Sequence, residues 1–205
     1  MFLRAIAIAG LACGLAFADE PLVEFNTDFP GGNLLVQANE GKSPVVAPDL
    51  RGGRDWFYWY FEAKASKPGR VTFVFPEKVA GFKNGAIGNQ GPAVSTDGGK
   101  TWAWAGRENV RENAFFHDFS KAGETIRYAV TIPYTESNLS EFLEKQAGNS
   151  HLQTGVLTQS NEGRDVELLE IGQRRDGRRP VIVTARHHAV ETMASYVLEG
   201  FLAEA

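Results

Sequence analysis

Two runs of aromatic and β-branched side chains constrain this chain more than anything else in it: DWFYWYFEA at 55–63 and GRVTFVF at 69–75. Such residues fit a pleated, half-buried surface, so each run predicts a strand. VSTDGGKTWAWAG at 94–106 predicts a hairpin. Its Asp97-Gly98-Gly99 supplies the positive φ of a tight turn, and Trp102 and Trp104 then share one face. ETIRYAVTI at 124–132 reads as one more strand. From 19 to 132, short strands alternate with turns rich in Gly, Pro and Asn, which predicts an antiparallel β-sandwich. The aromatic cluster Trp56, Tyr58, Trp59, Tyr60, Trp102 and Trp104 could stack a sugar or a peptide, but aromatics on alternating strand positions favour core with a covered face.

The pattern changes at Pro133. PYTESNLSEFLEKQAG at 133–148 carries Leu139, Phe142 and Leu143 at helical spacing, with Ser137 or Asn138 able to cap the start and Gly148 after the end. GVLTQSNEGRDVELLEIG at 155–172 predicts two strands joined at Asn161-Glu162-Gly163. RPVIVTA at 179–185 is an uninterrupted apolar run, expected of a strand buried on both faces of a sheet. A helix beginning near Ala189 places Met193, Val197 and Phe201 on one stripe. The division is therefore 1–18, 19–132 and 133–205: a leader, a sandwich, and the opening of an α/β domain.

The leader is read from Arg4, the apolar run to Phe17, and Ala16-Phe17-Ala18, the shape of a secretory signal cut before Asp19. The run is too short to span a bilayer. Leu11-Ala12-Cys13 raises lipoprotein processing as the weaker alternative, so the expected location is periplasmic or extracellular. Cys13 is the only cysteine and leaves with the signal, so the mature chain has neither a disulfide nor a thiol ligand. Removing Arg4 from 21 basic side chains leaves 20 against 25 acidic ones, a net charge of −5 that argues against nucleic acid. Nothing after residue 18 is apolar enough to re-enter a membrane.

His187, His188 and Glu191 follow the apolar run at 179–185. In open α/β sheets ligands gather at the carboxyl ends of strands, and groups three apart on a helical turn point the same way, so His188 and Glu191 can reach one ion. Imidazole nitrogen with carboxylate oxygen suits zinc. Equally, His188 could cap a helix while Glu191 favours its positive end. Spacing alone leaves both readings open. His117 and His151 could serve as a third ligand but read more simply as solvated histidines. His187 faces the other side of the turn and reads as packing, or as supporting a ligand from behind. Arg51, Arg54, Arg107 and Arg111 are scattered and read as solvated, and RRDGRRP at 174–180 reads as a basic turn.

VIVTARHHAVETMASYVLEGFL at 181–202 resembles the first zinc-ligand segment of the zinc carboxypeptidases, in particular their cytosolic-carboxypeptidase-like branch. The matching positions are Ala185, Arg186, His188, Glu191, Thr192, Ala194, Ser195 and Gly200. IPYTESNLSEFL at 132–143 resembles the segment leading from that branch's sandwich into its catalytic domain, and SNEGRDVELLEIG at 160–172 resembles an early hairpin there. Ala189-Val190 departs from the Pro-Gly common in eukaryotic members. The resemblance implies a Zn2+ site of His188, Glu191 and a second histidine, with Arg186 supporting it, and His187 is placed beside it by its position on the turn. It also implies a zinc-activated water that removes the carboxy-terminal residue of a peptide or protein. The general base, second zinc histidine and carboxylate-binding arginines are expected downstream of residue 205. The chain is thus expected to be the amino-terminal part of a metallocarboxypeptidase, binding zinc poorly and inactive alone. The alternative is a non-catalytic β-sandwich that binds peptide or glycan.

Overall fold

The computed structural model describes residues 19–50, 57–76, 86–173, 177 and 179–204. The signal sequence expected at 1–18, Trp56, Arg51, Arg54 and most of the basic turn at 174–178 lie outside the described residues. Among the described residues ten strands precede Pro133: β1 (Val23–Asn26), β2 (Leu35–Ala38), β3 (Val45–Ala47), β4 (Tyr60–Ala65), β5 (Gly69–Val74), β6 (Ala93–Ser95), β7 (Ala103–Trp104), β8 (Val110–Arg111), β9 (Ala114–Phe119) and β10 (Thr125–Ala129). They form two five-stranded sheets, ordered β1-β4-β10-β6-β7 and β2-β3-β5-β9-β8. Every pairing is antiparallel except β3 with β5, which run parallel with Val45 opposite Val74.

The sheets are held by alternation. In β5, Val71 and Phe73 point inward while Arg70 and Thr72 do not. Opposite them stand Phe61 and Ala63 from β4 and Ile126 and Tyr128 from β10. Phe73 stacks on Phe115 at 4.7 Å, and lies 5.5 Å from Phe61 and 5.2 Å from Tyr128. Trp59 is buried at the edge of this ring cluster and donates its indole N–H to the Ala86 carbonyl at 2.8 Å, satisfying its one polar atom. The expected β-sandwich is therefore present.

The hairpin at 94–106 forms as β6 and β7, fastened by the Asp97 carboxylate, which accepts from the amides of Lys100 and Thr101 and the hydroxyls of Ser95 and Thr101. These bonds hold its carboxyl well below the usual carboxylate range. The two tryptophans do not share an environment, however. Trp102 packs on Tyr60 at 5.5 Å, whereas Trp104 is exposed on the short edge strand β7.

After Pro133 come α1 (Glu136–Lys145), β11 (Leu152–Gln159), β12 (Asp165–Ile171) and α2 (Met193–Glu204), so the chain is mixed α+β with mostly antiparallel strands. Thr135, not Ser137 or Asn138, is the N-cap of α1; Asn138 sits at the third helical position and its Oδ1 accepts from the Thr135 amide at 2.8 Å. β11 and β12 pair as the hairpin expected at 155–172.

Two expectations fail here. The run at 179–185 forms no strand, and its Ile182 is 85% exposed, because none of the described residues pairs with it. Strands of parallel sheets are held by a paired neighbour and by cover on both faces, so composition alone cannot hold this run in a sheet. The last helix starts at Met193 rather than near Ala189, and its stripe of Met193, Val197 and Phe201 faces solvent. Among the described residues no helix is long and apolar enough to cross a membrane.

Candidate metal turn

The extended run ends at Arg186, whose φ of 57° is one of two positive values at non-glycine residues among those described. That left-handed step turns the chain sharply before His187 and costs on the order of 1 kcal/mol. Its guanidinium offsets this by donating to two carbonyls, Tyr134 at 2.6 Å and Ala189 at 3.3 Å. Beside it lies a cleft of about 260 Å³ lined by Tyr58, Tyr134, Thr135 and Glu136.

His188 and Glu191 meet in the turn that follows. The Glu191 amide donates to the His188 carbonyl at 3.1 Å, closing the turn. Its carboxylate reaches back twice: Oε2 accepts from the His188 amide at 3.0 Å and Oε1 lies 2.9 Å from the ring Nδ1. Those bonds hold the Glu191 carboxyl below the usual carboxylate range, the ring contact contributing most. The side chains are 35% and 38% exposed, open to solvent yet held in place. The two groups expected to converge do so on a turn ahead of α2, rather than within a helix.

This donor pair fits zinc. Nitrogen and oxygen ligands on one tetrahedral ion stand about 3.3 Å apart for bonds near 2.0–2.1 Å, so the 2.9 Å contact needs to open by only a few tenths of an ångström. Nδ1 would give up its proton to serve as a ligand. Among the described residues no group of three or more His, Cys, Asp or Glu side chains is assembled.

The other sequence candidates go elsewhere. His187 is exposed and shares a 2.8 Å hydrogen bond with Thr184, so it steadies the approach to the turn. His117 is half-buried on β9 against the rings of Phe119 and Tyr128, not solvated, and burial lowers its pKa. His151 is exposed ahead of β11. Arg111 lies over the Phe116 ring at 5.6 Å and donates to backbone carbonyls, and Arg107 sits in a short 3-10 helix. Tyr58, Trp59 and Tyr60 are buried, which leaves the proposed stacking platform without its central rings.

Sequence reasoning missed what holds the turn. Thr192 is fully buried and donates to the Ile132 carbonyl at 2.6 Å; the Tyr196 hydroxyl donates to the Pro133 carbonyl at 2.7 Å; Arg186 takes Tyr134. Tyr134 in turn donates its hydroxyl to Glu199 at 2.8 Å, and burial, then that bond, raises its pKa. Thr192, Tyr196 and Glu199 recur at helical spacing on the face opposite Met193, Val197 and Phe201, and that polar stripe was the available signal.

Residues 139–205 match the sequence model of the zinc carboxypeptidase family. An uncharacterised protein of Zymomonas mobilis is 24% identical over 181 residues, covering 88% of this chain and 46% of that one. Cytosolic carboxypeptidase 2 of Danio rerio is 26% identical over 216 residues, covering 89% of this chain and 30% of the relative. The chain therefore spans less than half the length of these curated relatives. A solved metallo-carboxypeptidase of Pseudomonas aeruginosa, in complex with (2-guanidinoethylmercapto)succinic acid, superposes with a TM-score of 0.71 at 21% identity, covering 88% of this chain and 48% of that one. That likeness establishes the shared fold. Residues 139–205 are thus similar in sequence to the zinc carboxypeptidases, and the chain shares their fold.

Proposed function

We propose that this chain supplies the sandwich, residues 19–132, and the opening of the catalytic domain, residues 133–205, of an exported zinc-dependent metallocarboxypeptidase acting on the carboxy-terminus of peptides or proteins. One observation carries the reading: within the segment matching the family, His188 Nδ1 and Glu191 Oε1 converge to 2.9 Å at a solvent-open turn. These two side chains would hold Zn2+. The chemistry a zinc ion supplies there is Lewis acidity toward a scissile carbonyl and an attacking water. The chain's own residues do the rest of what can be derived. Before a metal enters, Glu191 holds the imidazole's orientation through ring and amide together, and Arg186 and Thr192 fasten the turn to the segment leaving β10. With no third ligand assembled beside the pair among the described residues, the expectation is weak metal binding.

Calorimetric titration of the full chain with Zn2+ tests this. Wild type should bind one ion, weakly for a zinc protein, and His188→Ala and Glu191→Gln should each abolish the heat. Equal binding by His188→Ala would sink the proposed site.

A further inference from the structure

We infer that Thr192 is a positioning residue through which the β-sandwich sets the geometry of the His188–Glu191 turn, with Arg186 and Tyr196 as its partners; this rests on the metal-binding reading above.

The observation is a pattern of three. Consecutive carbonyls of the segment leaving β10, at Ile132, Pro133 and Tyr134, each accept one side-chain hydrogen bond, from Thr192, Tyr196 and Arg186 respectively. Those donors bracket the turn in sequence, Arg186 two residues before His188 and Thr192 one residue after Glu191. The acceptors follow closely on an anchored strand. β10 is an inner strand, paired to β4 on one side and β6 on the other, and the Val130 amide extends the ladder to the Trp59 carbonyl at 3.0 Å. The turn therefore hangs between two clamps on the segment that leaves an inner strand.

Local forces do not place it otherwise. Among the described residues nothing pairs with the extended run before it, Arg186 sits in a left-handed conformation, and α2 buries no residue of its own. Of the three donors only Thr192 is fully buried, and its hydroxyl also lies 3.4 Å from that of Thr131. A shift of its backbone carries directly into the Glu191 carboxylate, and metal ligands tolerate displacements of only about 0.5 Å. Thr192 touches neither metal nor substrate, so its effect is exerted through its neighbour.

The test compares Thr192→Val, which keeps shape but loses the hydroxyl, with Thr192→Ser, which keeps the hydroxyl. Two readouts are taken on the full chain: hydrogen exchange at the His188 and Glu191 amides without metal, and Zn2+ affinity by calorimetry. An unmade hydrogen bond at a buried site changes such equilibria by about tenfold. Thr192→Val should therefore exchange both amides about tenfold faster and bind Zn2+ about tenfold more weakly, while the fluorescence-detected unfolding of the sandwich stays put. Thr192→Ser should restore both. Wild-type exchange in Thr192→Val overturns the inference, as does a matching loss of sandwich stability or failure of Thr192→Ser to rescue. If His188→Ala binds Zn2+ like wild type, the metal reading fails, yet the metal-free exchange still decides whether Thr192 positions the turn.

Discussion

Phe73 and Phe201 are the same side chain in opposite circumstances: on β5 the ring is 0% exposed among four other aromatic rings, on α2 it is 57% exposed. The contrast extends to the regions around them. The sandwich closes a continuous core from both sheets, whereas after Tyr134 only Phe142 and Thr192 are buried among the described residues. The hairpin β11–β12 leaves Val156, Leu157 and Val166 exposed. Residues 136–204 thus rest on hydrogen bonds to the sandwich more than on burial of their own, and an isolated hairpin is at best marginally stable in water. What separates the two regions is the number of partners each strand and helix finds, not their apolar content.

The largest expected effect follows directly. Residues 133–205 produced alone should show no cooperative unfolding and should aggregate through the exposed apolar side chains, whereas residues 19–132 should unfold in one transition. Circular dichroism against temperature on both pieces checks this. A cooperative transition in 133–205 would erase the contrast.

Next in size is a matched pair of truncations. Phe73→Ala should destabilise the sandwich by about 3–5 kcal/mol, since it removes burial and leaves a cavity. Phe201→Ala should change stability by no more than about 0.5 kcal/mol, as surface substitutions do. Urea unfolding followed by tryptophan fluorescence measures both. Equal losses would mean that α2 is covered in solution.

How much of this was legible depends on whether the deciding partner was local. The turns at Asp97-Gly98-Gly99 and Asn161-Glu162-Gly163 were readable because turn chemistry lies within a few residues, and the alternation of Val71 and Phe73 announced an inward face. The convergence of His188 on Glu191 was readable for the same reason. The run at 179–185 misled because an apolar composition says a segment can be buried, not that neighbours are there to bury it. The apolar stripe of α2 did not announce the helix's orientation: what the exit from β10 offers is carbonyls, and those of Ile132 and Pro133 are met by the hydroxyls of Thr192 and Tyr196. Nothing local in Thr192 announces a partner sixty positions earlier.

A smaller effect tests whether the two regions unfold separately. Asn138→Ala removes the acceptor for the Thr135 amide and hydroxyl at the start of α1, a loss of about 1 kcal/mol. It should appear as faster hydrogen exchange in the first turn of α1, with the sandwich transition unmoved. A lowered sandwich midpoint would show that α1 and the sheets unfold as one unit.

The smallest expected effect lies in the sandwich and carries a sign. His117 is half-buried against Phe119 and Tyr128, and burial lowers its pKa below the ordinary 6.5, outweighing Glu124 and Asp118, whose charges pull it upward. As pH falls through 6.5 the unfolded chain takes up the proton first, so stability is complete above that value and declines below it until the folded ring also protonates. Wild type should therefore lose about one or two degrees more in Tm between pH 7.5 and 5.5 than His117→Gln, which cannot titrate. The difference should follow the fluorescence transition of the sandwich and be insensitive to Glu191→Gln. Identical slopes in wild type and His117→Gln would mean that the ring leaves its aromatic contacts in solution, and that the rim of this sheet is looser than its centre.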